Sequence, residues 1–381
     1  MRKLYWRPPG VSRAALILVA LLSLVALVAV EAFPVQRKQA FYEEKRRAAR
    51  LAKQAMQAIK TEKQERGIAI DREADPAESG LIGAPLTPIT SNTGYLNAKR
   101  TSVNPNFAAV FVELLGKANL KPGSHVGVGV SGSFPALNVA ALAAIQELKL
   151  KPVIVASVAA SEWGANHPDY TWLDMEKTLV DKKLFDARSV AASRGGIDDR
   201  GFGISKRGRT LLDEAIIRAG VHNIDSRSVR DAIDQRMDVY DEYAGKAGIR
   251  AYINIGGGTA SVGTHVGKKQ LKPGLNLARP RGGKLVDSVM LRFLDREVPV
   301  IHITGVVAIA KTYGLAVEPT QMPRVGVGSV YIKPEYNRWL AGAGILAVLA
   351  AMFAFIRRDV GIRLLTSGMK TRTRGQPEQM I

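Results

Sequence analysis

Ser131 stands in the segment Gly129-Val130-Ser131-Gly132-Ser133-Phe134-Pro135. This is close to the G-x-S-x-G pattern that holds a nucleophilic serine on a sharp strand-to-helix turn, but Ser133 replaces the final glycine. Small residues ahead of a helix can also cradle an anion on free backbone N–H groups, so Ser131, Gly132 and Ser133 are readable as ligand contacts. A tight turn with no ligand is the plainest reading of the segment, ahead of anion binding, with the nucleophilic serine last. A second such turn, Asn254-Ile255-Gly256-Gly257-Gly258-Thr259, adds Asn254, Gly256, Gly257, Gly258 and Thr259 as anion-binding candidates. Between the two lie Ser157, Ser161, Glu162, Trp163, Asn166, His167 and Asp169. Ser, Glu and His close together could support hydrolysis if they met in space, which makes Ser131, Ser133, Glu162 and His167 the catalytic candidates. His125, His167, His222, His265 and His302 show no metal-type spacing and the chain has no cysteine, so neither a metal nor a cofactor is expected.

Two loops concentrate positive charge among glycines and prolines. One carries Arg194, Arg200, Lys206, Arg207 and Arg209; the other Lys268, Lys269, Lys272, Arg279, Arg281 and Lys284. Arginine suits bidentate carboxylate contacts, and a basic loop can track an acidic polymer, although solvated surface charge reads equally well. No nucleic-acid module accompanies them, and no nucleic-acid partner is expected.

The elements that must position these residues alternate. Helices are predicted over 107–119, 135–148, 172–183, 210–219, 229–244 and 285–296, with strands over 125–131, 152–158, 188–192, 251–255, 300–304 and 327–332. Gly127 and Gly129 give the first strand a face that another element can approach closely. This alternation predicts an α/β fold, a three-layer domain with a mostly parallel sheet, over residues 106–335. Ahead of it, 34–70 reads as a juxtamembrane helix or stalk, and 71–105, rich in Pro, Gly, Ser, Thr and Asn, as a linker or an extended wrap over the domain.

The 381-residue chain carries 54 Lys and Arg against 34 Asp and Glu, a net charge of +20. Residues 14–33 and 339–356 are free of charged side chains apart from Glu31 and are near the length needed to cross a bilayer, so both are expected to be transmembrane helices. The tail 357–381 is basic and argues for a cytoplasmic C-terminus. Two spans then place residues 1–13 in the cytoplasm as well, with the main domain outside a bacterial inner (cytoplasmic) membrane. The first span alone is ambiguous, because basic residues crowd its far side and Val30-Glu31-Ala32 is a passable signal cleavage site. The two tails hold eight of the twenty net charges and leave twelve on the domain between the anchors. A polyanion outside the cell fits that balance better than nucleic acid.

Asn254 through Thr259 resembles the Gly-Gly-Gly-Thr phosphate loop of actin-like ATPases. Asn254 stands where those proteins usually carry Asp, which disfavours a magnesium–nucleotide site. The two spans, the basic α/β domain, the run Val126-Gly127-Val128-Gly129-Val130-Ser131-Gly132-Ser133-Phe134-Pro135-Ala136-Leu137-Asn138 and the second glycine turn together resemble the bacterial poly-gamma-glutamate system protein family. What the resemblance implies is a membrane component of poly-gamma-glutamate biosynthesis and export. Its partners would be the membrane, the other synthesis and export subunits, and the acidic polymer that the basic domain would guide or retain. The alternatives are an extracytoplasmic hydrolase or transferase with a serine nucleophile and, third, an actin-like nucleotide binder.

Overall fold

The computed structural model describes residues 13–369 apart from 257, 265 and 284, and the backbone alone over 358–369. The expectations placed on Gly257, Lys284 and the charged residues of the extreme tails lie outside the described residues. From the N-terminus the elements are α1 (Arg13–Ala32), β1 (Val35–Lys38), α2 (Tyr42–Glu65), α3 (Leu96–Ser102), α4 (Phe107–Lys117) and β2 (His125–Ser131). Then follow α5 (Pro135–Glu147), β3 (Lys151–Ser157), β4 (Asn166–His167), β5 (Tyr170–Thr171), α6 (Trp172–Asp181), β6 (Ala191–Ser193), α7 (Lys206–Ala219) and β7 (His222–Asn223). The chain continues through α8 (Val229–Ala244), β8 (Ile249–Ile255), α9 (Thr259–Val262), β9 (Gly274–Asn276), α10 (Val289–Asp295), β10 (Val300–Ile303), α11 (Val306–Thr312), β11 (Ile332–Glu335) and α12 (Arg338–Met369).

Two compact units result, one from the chain ends and one spanning Lys38–Ile332. In the first, α1 carries 19 residues of mean hydropathy 2.7 and α12 carries 20 of mean hydropathy 2.3, both long and apolar enough to cross a membrane. Gly344 lets α12 approach α1 closely, because a Cβ there would stand 2.8 Å from Ala26 Cβ. The lone hydroxyl of α1, Ser23, donates to Val19 O at 2.8 Å and so is satisfied within the helix. α12 runs on to Met369, past the expected end of the span at residue 356.

The second unit is built on a seven-stranded sheet of order β7-β6-β3-β2-β8-β10-β9. All neighbours are parallel except β9, which runs antiparallel on β10. Alternate strand residues feed two hydrophobic clusters: Val126, Val128, Ile154 and Ile253 enter one, Val153, Val155 and Tyr252 the other. The glycine face of β2 is the approach surface its sequence implies. A Cβ on Gly129 would lie 2.2 Å from Tyr252 Oη, in a cluster where Tyr252 stacks on Phe293 at 4.8 Å between centroids.

Local signals account for the helix starts. Pro135 opens α5 where its missing N–H costs nothing. Ser205 and Ser228 cap α7 and α8 by accepting from the backbone N–H groups of Gly208 and Asp231. Asp174 accepts from both the N–H and the hydroxyl of Thr171 at 2.8 Å, which fixes the start of α6.

Two expectations are corrected, and one left open between two readings is decided. The helix taken for a stalk is integral to the sheet-bearing unit: α2 buries Ala48, Ala52, Ala55, Met56 and Ile59 in its core. Residues 71–105 are the wrap rather than a free linker, with Ser91 N–H donating to Ala160 O and Gly83 N–H to Trp163 O. The strand expected at 327–332 does not join the sheet; β11 begins at Ile332 and pairs with β1 instead.

Candidate functional site

In the order of the parallel strands, β2 starts the sheet, β3, β6 and β7 extend it one way, and β8 and β10 the other. The switch point therefore lies between β2 and β8, and crevices outside the carboxyl ends of strands at such a point are where ligands collect. The register there is informative. Ser131 pairs with Ser157, and Ser157 with Ser193, so three adjacent strands end on serines in one row. Gly256 continues the row from β8, at φ +87°, and a Cβ on it would stand 2.0 Å from Ser131 Oγ. Gly258 is next to Ser157, where an added Cβ would lie 2.8 Å from Oγ. The structure thus brings both small-residue turns together at one edge.

The backbone of those turns is largely occupied. Gly132 N–H donates to Ser157 O at 3.1 Å and Ser133 N–H to Ser131 Oγ at 3.3 Å. Asn138 Nδ2 donates to Ser131 O at 2.9 Å. The anion cradle expected at Ser131–Ser133 has therefore already turned two of its N–H groups inward, and side chains supply the remaining chemistry. Asn254 Nδ2 meets His302 Nδ1 at 3.1 Å while its Oδ1 is buried without a partner. Burial pushes the pKa of His302 down to about 4, which makes it a neutral core group.

Two buried cations flank the serine row. Arg236, on α8, donates to Asp199 through Nε at 3.1 Å and Nη2 at 2.9 Å, to Ser157 Oγ at 3.0 Å and to Ser193 Oγ at 2.7 Å. Ser193 Oγ in turn donates to Asp199 Oδ1 at 2.8 Å. Arg236 and Asp199 are 1% and 0% exposed, an ion pair withdrawn entirely from water. The loop that delivers Asp199 holds Asp198 and Asp199 at φ 57° and 63°.

The other cation is Lys99, on α3. It is 2% exposed, and among the described residues no carboxylate lies within ion-pair distance of it. Its Nζ donates to Ser161 Oγ at 2.7 Å and to Ser133 O, and lies 4.3 Å from the centroid of the Phe134 ring. Burial pushes its pKa down to about 7, with Glu162 opposing and Lys268 adding to the shift. Ser161 is held in turn, since its N–H donates to Ser133 Oγ at 3.1 Å. Glu162 Oε2 accepts from Gly94 N–H at 2.9 Å, tying the wrap to the same loop.

His167 stands apart from this arrangement: its Nδ1 accepts from Asp169 N–H at 3.3 Å on the β4–β5 hairpin, and among the described residues no hydrogen bond joins it to a serine. No described trio of His, Asp or Glu converges as a metal site. The basic loops divide. Arg194 is paired with Asp213 at 2.6 Å, Arg209 donates to Ile204 O at 2.6 Å, and Arg200 covers the Phe202 ring at 4.5 Å. Arg279 pairs with Asp295 at 2.9 Å, where α10 ends ahead of β10 and so at the amino edge of the sheet, away from the serine row. Lys206, Arg207, Lys268, Lys269 and Arg281 are exposed and form no ion pair among the described residues. The loops after β6 and β8 touch, Thr259 Oγ1 donating to Gly196 O at 3.1 Å.

Sequence reasoning missed Lys99, Asp199 and Arg236. None sits in a motif; the weak signal was a lysine within a helical run and an Asp-Asp pair in a glycine loop. No family model, curated protein or solved structure matches the chain.

Proposed function

We propose that the chain is a membrane-anchored component of a poly-gamma-glutamate biosynthesis and export system. In this reading α1 and α12 span the inner membrane and both termini are cytoplasmic. The unit between them lies outside, with helices on both faces of its sheet forming three layers. Its task is to hold and guide an acidic polymer past the carboxyl edge of the sheet. The observation that carries the reading is the convergence of the β6 and β8 loops there. They set Lys206, Arg207, Lys268 and Lys269, exposed cations that form no ion pair among the described residues, on segments that flank the serine row. Poly-gamma-glutamate carries one carboxylate per residue, and a set of exposed ammonium and guanidinium groups binds such a chain through screened Coulomb attraction.

Purified protein in detergent is expected to bind poly-gamma-glutamate with an affinity that falls steeply with salt and drops further when Lys206, Arg207, Lys268 and Lys269 are all replaced by Ala. Salt-insensitive or absent binding overturns the guide reading. A topology reporter fused to the C-terminus should report cytoplasm; finding residues 38–332 there instead would remove the extracellular polymer from consideration. The second reading, an acyl-transfer enzyme, is favoured by one contact, that of Lys99 with Ser161.

A further inference from the structure

That contact supports a specific assignment. Ser131, the serine nearest the elbow pattern, is poorly placed to react: its Oγ accepts from Ser133 N–H and is pressed against Gly256, and among the described residues no basic side chain is hydrogen-bonded to it. Ser133 Oγ accepts from Ser161 N–H and so serves as a support. Ser161 is the serine whose hydroxyl meets a base. It follows β3 at the switch point, 2.7 Å from Lys99 Nζ. The lysine itself is fixed by its donation to Ser133 O and by the Phe134 ring. A neutral amine that donates to the Ser133 carbonyl keeps its lone pair free to accept the Ser161 proton, the arrangement a nucleophile–base pair requires. A lysine kept in a dry site without a carboxylate at contact distance is the kind that serves as a general base near neutral pH.

We propose that Ser161 and Lys99 form a nucleophile and general-base pair that cleaves amide bonds in an acidic, glutamate-type polymer. The substrate class rests on the polymer reading above; the nucleophile assignment does not. In the reaction, Ser161 Oγ forms a bond to the amide carbonyl carbon as its proton passes to Lys99 Nζ. The C–N bond then breaks, and the Lys99 ammonium returns that proton to the departing amine. Water then bonds to the acyl carbon as one of its protons passes to Lys99; the bond from that carbon to Ser161 Oγ breaks, Lys99 returns the proton to Oγ, and the carboxylic acid departs. One amide and one water become one carboxylic acid and one amine.

The test uses full-length protein in detergent with a fluorophosphonate, which phosphonylates an activated serine hydroxyl with loss of fluoride. Labelling mapped by peptide mass spectrometry is expected on Ser161 and absent in Ser161→Ala. Its rate should rise with pH through a midpoint near 7 and fall about 100-fold or more in Lys99→Met, in line with the usual contribution of a general base. Retained melting behaviour checks that the variant folds. The wild-type pH profile stands as an independent readout if it does not. Labelling of Ser131 or Ser133 instead, no labelling of folded protein, or a rate indifferent to pH overturns the proposal. Polymer binding without Ser161 labelling removes the chemistry and leaves the guide reading in place. Ser161 labelling with no shortening of poly-gamma-glutamate overturns the substrate class alone.

Discussion

Arg236 and Lys99 are buried at the same edge of one sheet, yet they are solvated in opposite ways. Arg236 has replaced most of its water with charged and polar partners, a carboxylate gripped by two nitrogens and two serine hydroxyls, while Nη1 is left unbonded. Lys99 has a carbonyl, a hydroxyl and an aromatic face, none of them a full negative charge. Burial opposes the charge on Arg236, but Asp199 overcomes it and the guanidinium stays ionised. The same burial at Lys99 meets no such counterweight, and its proton becomes easy to lose. One cation holds the fold together; the other is kept in a state suited to proton transfer.

The comparison can be broken most directly by removing each cation. Arg236→Met leaves Asp199 buried without its partner and is expected to lower unfolding free energy by about 3–5 kcal/mol in urea titrations. Lys99→Met removes an ammonium that burial already disfavours, so relief of that desolvation offsets the lost contacts and the variant should lose clearly less stability than Arg236→Met near pH 7. Equal losses in the two variants would show that the distinction is false.

The next largest difference is in coupling. A double-mutant cycle on Arg236 and Asp199 should give a coupling energy of about 2–3 kcal/mol, whereas Lys99 and Glu162, related only at a distance, should give less than about 1 kcal/mol. Melting over a pH series sharpens the point further. Lys99 titrates near 7 in the folded chain, below its ordinary 10.5, so between those values the unfolded chain binds the extra proton. Stability of the wild type relative to Lys99→Met should therefore rise from about pH 7 toward pH 10, and the penalty should be complete below 7. The gap between wild type and Arg236→Met should be flat over that range. A narrower contrast is expected at the hydroxyls: Ser193→Ala takes one bond from buried Asp199 and one from Arg236 and should cost about 1–3 kcal/mol, while Ser161→Ala should cost under about 1 kcal/mol.

Much of the frame was legible beforehand. The helix over Val229–Ala244 falls where its periodicity places it, and β2 covers the whole of its Val-Gly alternation. Strands such as Ala191–Ser193 and Gly274–Asn276 were misplaced or missed because three residues carry too little pattern to stand out. The Ala-rich helix 42–65 looked like a stalk because its charges are many. Its narrow alanine stripe is nonetheless the face that lies against α4 and α5, where small side chains allow close packing. Ser131 and Ser157 are the last residues of parallel strands, and Ser133, Ser161, Gly256, Gly258 and Thr259 come after such strands, so their position at one edge follows from the alternation alone. His167 was expected with them on proximity in the chain alone, and the β4–β5 hairpin carries it to a local partner instead.

By itself, the sequence determined the two apolar helices, the α/β alternation and the placement of small residues at strand ends. These properties are written in runs and periods of neighbouring residues, which hydrophobic burial and backbone geometry read locally. Tertiary structure alone decided which serine meets a base. Lys99 comes from a helix 62 positions before Ser161, and Arg236 from one 37 positions after Asp199. Desolvation sets the proton affinity of Lys99, and it acts only after the chain has closed around that amine.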